Sequence, residues 1–349
     1  MISFYPGPSR LNSNIPAYMH DACESGILSE NHRSEAFVNL TQECIQQLHL
    51  KLNIPEDYKI YFTSSATECW NILAKSFPNY LFTHLYNGAF GEKWYETNKS
   101  INKNVKSFSF DLEEVLPLQL ITPESNVICI TQNETSNGTQ VSNVILNNIR
   151  KQFPKSLIMV DATSSIGGID LDFKSADVWF ASVQKCFGMP AGLGLLILSP
   201  RAVESAVAIG VKSEYNNICN LEEKMTIWQT THTPNVLGIY LLKRIVKEME
   251  NVSVINKILK LRAEEYFDFC SKRNNFQLLI KNKVVQSDSV IALTASEDFI
   301  KKIKKEARVN NLIIGNGYGR YASTTFRIAN FPQLLNTEIS ILKDFLYQF

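Results

Sequence analysis

The chain lacks the features by which several function classes announce themselves. No apolar run approaches the length of a membrane span; Gly192 to Leu198 is far too short. Net charge is almost absent, because 35 basic and 34 acidic residues leave a formal +1. No broad electrostatic footprint for nucleic acid or a membrane surface is therefore expected, and small-molecule partners become the default. Paired cysteines are missing as well. The seven thiols, at 23, 44, 69, 129, 186, 219 and 270, form no CxxC and no metal-finger spacing. That pattern predicts free thiols in a reducing, cytoplasmic compartment. The histidines at 20, 32, 49, 84 and 232 have no HExxH-type spacing, and there is no Walker loop or GxSxG elbow, so metal and serine-hydrolase chemistry find no support. The opening MISFYPGPSRLNSN has no basic segment leading into an apolar one and is broken by Pro6-Gly7-Pro8; no ordinary signal peptide is expected.

What is present is alternation. With 349 residues the chain exceeds the size at which one core usually stops growing. Between 58 and 199 seven short runs rich in β-branched and aromatic residues, at 58–64, 81–86, 105–110, 126–134, 156–164, 177–185 and 192–199, are separated by segments that can be helical, among them 67–77, 89–101 and 141–153. The pattern predicts an α/β fold with a seven-stranded, mostly parallel sheet covered by helices on both faces. Only a short turn separates the last two runs, which leaves room for one antiparallel member. After residue 200 a helical series at 235–274 gives way to short strands mixed with helices at 297–308 and 335–348. This predicts a large domain over 15–240 and a smaller α+β domain over 241–349 that also takes in residues 1–14.

Ligands of open α/β sheets collect beyond the carboxyl ends of the strands, and unusual polar residues stand there. They are TSSATE at 63–68, QNETSNG at 132–138, DATSS at 161–165 and VQK at 183–185, with the turn NGAF at 87–90 adding an aromatic ring. Ser65 and Glu68 fit a capping box that leaves the amides of Ala66 and Thr67 free for a phosphate. Thr233-Pro234 predicts a second helix start, with Thr as the cap. A desolvated Lys185 has a lowered pKa, and its neutral amine can form a Schiff base with an aldehyde. Asp161 can keep a pyridine nitrogen protonated, Phe90 can stack on a flat ring, Thr135 can bond a ring hydroxyl, and Gln184 can hold a ligand. Singly, each has an ordinary reading as cap, core ring, turn residue or snorkelling lysine. Their co-occurrence at strand ends favours one cofactor site.

With these residues in place the chain resembles the pyridoxal-phosphate enzymes of fold type I, and among them the class V aminotransferases of the phosphoserine type. The motifs, in order, are FYPGPSRL, NHRSEAF, TSSATE, YNGAFGEKW, QNETSNG, VDATSS, SVQKCFGMPAGLG, TTHTPN and FRIANFP. The resemblance implies a transaminase whose cofactor is pyridoxal 5′-phosphate, with Lys185 in the Schiff base and as proton carrier, and with Asp161 at the pyridinium. Phe90 would stack on the ring and Thr135 would meet its hydroxyl. Ala66, Thr67 and Gln184 would hold the cofactor phosphate, joined by Thr233 from a second subunit, so that a homodimer with shared active sites is implied. Arg327 would grip the substrate α-carboxylate, a role its fork suits.

The same resemblance aims His32 and Arg33 at a substrate phosphate and implies transfer from L-phosphoserine to 2-oxoglutarate in serine biosynthesis. The alternatives are a class V aminotransferase of the alanine–glyoxylate or serine–pyruvate type, or a cysteine desulfurase-like lyase. Two departures bear on the substrate. Glu68 stands where some members place a phosphate-binding arginine, and GNGYGRYASTTFR replaces the usual His-Arg segment, with Arg320 as its stand-in. GNGYG at 315–319 does not fit GxGxxG and reads as a turn or a substrate loop.

Overall fold

The computed structural model describes all 349 residues. In chain order the strands are β1 (Ile2–Phe4), β2 (Lys59–Thr63), β3 (Phe82–Tyr86), β4 (Val105–Ser109), β5 (Val127–Thr131), β6 (Asn133–Glu134), β7 (Thr139–Gln140), β8 (Leu157–Asp161), β9 (Val178–Ser182), β10 (Gly194–Leu198), β11 (Gln277–Leu278), β12 (Val290–Thr294), β13 (Leu312–Asn316) and β14 (Thr325–Ala329). Seven of them form one sheet in the order β2-β10-β9-β8-β5-β3-β4. All its pairings are parallel except those of β10, which runs antiparallel to both β2 and β9. β10 is the antiparallel member for which the short turn left room.

Apolar runs without alternation suit strands covered on both faces. Every residue of β8, β9 and β10 is buried, whereas the edge strand β4 is only half covered. The helices 66–76, 89–101 and 143–152 lie within a residue or two of the expected segments. The helical series after 235 is two helices, Val236–Glu248 and Val252–Ser271. Asn251 separates them by capping the second through its side chain.

A core of 65 buried residues surrounds the large sheet and runs to Val252. A second core of 19 joins Phe4 to residues between Ala263 and Leu346 around a sheet of order β1-β13-β14-β12-β11. The N-terminal strand, which pairs parallel with β13, was not among the expected runs. Three residues are too short for a readable period.

Three local expectations need correction. β9 ends at Ser182, so Lys185 stands three residues beyond the strand in a turn. The helix after 235 is capped by Asn235, whose Oδ1 accepts from the Gly238 amide at 2.9 Å, and not by Thr233. Asn is the stronger cap, and its amide also donates to the Gly192 carbonyl, which fixes it in place. Ser65 does cap the helix Ala66–Ser76, but Glu68 reaches back to the amide and hydroxyl of Ser64 rather than to Ser65.

Candidate active site

The carboxyl ends of β2, β5, β8 and β9 converge on a cavity of about 200 Å³, walled by Lys185, Asp161, Phe90, Thr135, Gln184 and Arg327. Ala66 and Thr67 also line it. A larger cavity of about 760 Å³ lies beside the helix Val252–Ser271 and carries none of the strand-end residues.

Lys185 is 6 % exposed, and its Nζ donates to Thr135 Oγ1 at 2.7 Å. Burial pushes its ammonium down to about 8; Asp161 and Glu134 oppose the shift, and Arg327 adds to it. The turn carrying Lys185 is held from outside the sheet. Ser9 Oγ and Gln333 Nε2 donate to the Lys185 carbonyl at 2.9 and 3.0 Å. Gly7 passes directly over the side chain with φ +145°, and a Cβ there would lie 2.9 Å from Lys185 Cε. Only glycine combines that backbone angle with that clearance.

Asp161 closes β8 with one carboxylate oxygen accepting from the Thr163 amide at 2.9 Å. Burial raises its pKa, against the hydrogen bond from Thr163 and the attraction of Lys185. The Phe90 ring centre is 5.2 Å from Lys185 Nζ. Its placement depends on Glu134, a residue that motif reading passed over. The helix Ala89–Ile101 begins after Gly88, which offers no side chain to its free amides. Glu134 Oε2 accepts from the amides of Phe90 and Gly91, both at 3.1 Å, while Oε1 accepts from the amide and hydroxyl of Ser136. The uncapped Gly88 was the available signal that an outside acceptor was needed.

Arg327 arrives from β14 of the second sheet and is 3 % exposed. Its Nε donates to the Asn316 carbonyl at 2.7 Å and one terminal nitrogen to the Thr135 carbonyl at 2.6 Å. These bonds aim the guanidinium into the cavity, which a surface ion pair would not require. Tyr5, Pro6, Gly7 and Pro8 also line the cavity, and Tyr318 does so from the GNGYG loop.

Not every expected residue is brought here. His32, Arg33 and Thr233 line none of the cavity's wall in their own chain. Burial and the nearby Arg33 and His232 lower the His32 pKa, which groups His32 with the 230–235 segment. The Ala66 amide is not free, since it donates to Ser182 Oγ at 2.7 Å. Burial raises the Glu68 carboxyl, but hydrogen bonds from Ser64 and Asn216 outweigh it and hold the group below its usual range. The Glu68 charge is thereby committed to its own helix start and to Asn216.

Two buried polar atoms in the wall, Thr131 Oγ1 and Gln184 Oε1, have no partner within the chain, while the side chains of Trp70 and Thr163 are turned toward the Asp161 carboxylate. Buried polar atoms are normally bonded, so this pair marks a place for a polar guest. Together with an amine of lowered pKa, a buried carboxylate and a flat ring, it fits the phosphate, ring nitrogen, hydroxyl and aldehyde of the cofactor that the sequence resemblance implies.

The Aminotransferase class-V family matches residues 8–297. The chain is similar to a phosphoserine aminotransferase of Corynebacterium glutamicum, 25 % identical over 96 % of this chain and 91 % of the relative. It is also similar to a serine–glyoxylate aminotransferase of Arabidopsis thaliana, 23 % identical over 94 % and 84 %. Among solved structures, a phosphoserine aminotransferase from Cytophaga hutchinsonii superposes with a TM-score of 0.91 at 29 % identity, covering 99 % of this chain and 98 % of that one. The chain belongs to the class V aminotransferases.

Proposed function

We propose that this aminotransferase moves the amino group of L-phosphoserine to 2-oxoglutarate, reversibly with 3-phosphohydroxypyruvate and glutamate, by a ping-pong cycle on pyridoxal 5′-phosphate that serves serine biosynthesis in the cytoplasm. The observation that carries the amino-acid reading is Arg327, a buried guanidinium aimed into the cavity that holds Lys185, with its fixed bonds made only to backbone carbonyls. Phosphoserine is favoured over other amino acids by the full-length likeness to phosphoserine aminotransferases. It is favoured as well by Arg33, which is exposed and makes no ion pair within its own chain.

The bound cofactor supplies an electron sink that lets the substrate Cα proton leave. The chain's own residues do the rest. Lys185 carries the proton at Nζ, its amine kept available near neutral pH by burial. With the cofactor bound, Asp161 would pair with the ring nitrogen, Phe90 would stack on the ring, and Thr135, which accepts from Lys185, would also meet the ring hydroxyl. Thr67, Gln184 and the first turn of the helix Ala66–Ser76 would hold the phosphate at a helix N-terminus. Thr233, His32 and Arg33 act in the site of a second copy, which makes the working form a homodimer; their absence from their own chain's cavity supports this.

A cysteine desulfurase-like activity is disfavoured because Cys219 and Cys270 are buried within helices and Gln184 precedes the lysine. The test is the visible spectrum of purified holoenzyme after L-phosphoserine is added without keto acid, with L-alanine and L-cysteine in parallel. Loss of the cofactor's visible band with phosphoserine alone is expected. Conversion by another of these amino acids only would overturn the phosphoserine assignment, and a protein that takes up no pyridoxal phosphate would overturn the mechanism.

A further inference from the structure

The Thr135 hydroxyl, which accepts from Lys185, has a second partner in Ser164, and the backbone fixes the direction of that bond. The amides of Ser289 and Val290 donate to Ser287 Oγ at 3.1 and 3.0 Å. Backbone amides only donate, so both lone pairs of that oxygen are taken and its proton goes to Asn133 Oδ1, at 2.6 Å. Asn133 is thereby turned with Nδ2 toward Ser164 Oγ, at 2.7 Å. Ser164 gives its own proton to the Asn133 carbonyl, at 2.9 Å. One lone pair remains on Ser164 Oγ, and Thr135 Oγ1 lies 2.9 Å from it. Two hydroxyl oxygens bond only through a proton, and Ser164 has none left, so Thr135 is the donor.

The consequence falls on Lys185. A threonine hydroxyl has one proton, and with that proton committed to Ser164, Thr135 can only accept from Lys185 Nζ, at 2.7 Å. A neutral amine held by one of its N–H groups keeps its lone pair, the electrons with which it attacks a carbonyl. Were the bond reversed, with Thr135 donating to Nζ, the same contact would occupy that lone pair. Asp161, Glu134, Arg327 and Cys186 also face Nζ, but none of them bonds to the Thr135 hydroxyl, whose partners are Lys185 and Ser164. Asn133, Thr135, Ser164 and Ser287 are all buried, and a buried hydroxyl has few other partners to turn to. Ser164 itself lines none of the cavity.

We propose that Ser164 is a positioning residue for cofactor capture: held by Asn133 and Ser287, it takes the Thr135 proton and so keeps the lone pair of Lys185 free for the aldehyde. In that step the amine nitrogen bonds to the aldehyde carbon, and the carbonyl oxygen leaves as water with the two amine protons. No oxidant or reductant enters. The inference rests on the reading of Lys185 above and deepens it, since it adds a residue that acts on the amine through Thr135 alone.

The experiment is the pH dependence of pyridoxal phosphate uptake by the cofactor-free full chain, followed as growth of the visible band. The proteins are wild type, Ser164→Ala, Thr135→Val, their double variant, Ser289→Ala and Lys185→Ala. Without Ser164 the Thr135 proton turns to the Lys185 lone pair, which favours the neutral amine and blocks it. Ser164→Ala should therefore lower the midpoint by roughly half to one pH unit, the worth of one neutral hydrogen bond, and lower the plateau rate severalfold. In the Thr135→Val background there is no hydroxyl to orient, and Ser164→Ala should change neither quantity. Ser289→Ala deletes a hydroxyl that donates to the Ser164 carbonyl, at 2.7 Å, and not to its side chain, so both quantities should stay as in wild type. A Ser164→Ala midpoint that stays near 8 or rises toward 10.5, the direction water entry gives, would overturn the inference. So would the same effect in the Thr135→Val background or from Ser289→Ala. Thr135→Val tests the bond direction even if Ser164→Ala does not fold: loss of an acceptor lowers the midpoint, whereas loss of a donor raises it and overturns the inference. A visible band in Lys185→Ala refutes the reading of Lys185 and the inference with it; no band there and no Ser164 effect refutes the inference alone.

Discussion

Lys185 Nζ donates to Thr135 Oγ1 at 2.7 Å across 50 residues of sequence. The bond joins the turn after β9 to the hairpin after β5, and the Thr135 hydroxyl itself donates to Ser164 Oγ at 2.9 Å. Thr135 is therefore a fixed acceptor for the ammonium. Glu134, the preceding residue, fixes Phe90, so the amine and the ring are set by neighbouring positions of one hairpin.

A pH dependence follows from the buried amine. Lys185 lies at about 8 in the folded chain, below its ordinary 10.5. The penalty for burying its ammonium is full below about 8 and is relieved as pH rises toward 10.5, where the unfolded chain loses its proton too. Uptake of pyridoxal phosphate by the cofactor-free protein needs the neutral amine, so its rate should climb to about pH 8 and then level off. A rate that keeps rising to a midpoint near 10.5 would contradict this. Lys185→Ala should fold, develop no lysine-bound absorbance and turn over no substrate.

Replacing Glu134 by alanine removes the acceptor for three backbone amides, those of Phe90, Gly91 and Ser136. The Gly91 and Ser136 bonds are buried, and each unpaired buried amide costs about 1–3 kcal/mol, so urea unfolding of the variant should show a loss of at least about 2 kcal/mol together with weaker cofactor retention. Glu134→Gln keeps one acceptor oxygen and should lose less. A change below about 1 kcal/mol would mean that water replaces the carboxylate.

Arg33→Ala separates phosphate recognition from amino-acid recognition. Arg33 lies outside its own chain's cavity, so on the homodimer proposed above its loss should act on the site of the second copy. The specificity constant for phosphoserine should fall by roughly tenfold or more, the range for a charged hydrogen bond, and that for an unphosphorylated amino acid much less. Steady-state kinetics on both substrates checks this, and equal losses would remove Arg33 from phosphate recognition.

Much of the fold was legible locally. The seven runs between 58 and 199 and the helices 66–76, 89–101 and 143–152 carry a period or a composition set by neighbouring residues, and the structure places them within a few residues of expectation. Lys185, Asp161 and Phe90 stood out because polar or aromatic groups beside buried strands violate the local pattern, whereas Arg327 was reached only through the resemblance of its FRIAN motif. The β10 pairing, the Asn235 cap and the Ser64 bond of Glu68 were less legible, since each depends on which of several adequate partners lies nearest in space.

The sequence by itself determined the strand ends and the chemistry standing there, because burial of apolar runs and helix capping act over a few residues. Only the tertiary structure decided that Gly7 crosses Lys185, that Glu134 caps the Phe90 helix and that Tyr318 links Lys93 to Arg327. Those contacts join segments that no periodicity relates. They exist because the N-terminal segment and β14 of the second sheet meet the strand ends of the first at one cavity, where close packing leaves these side chains a single arrangement.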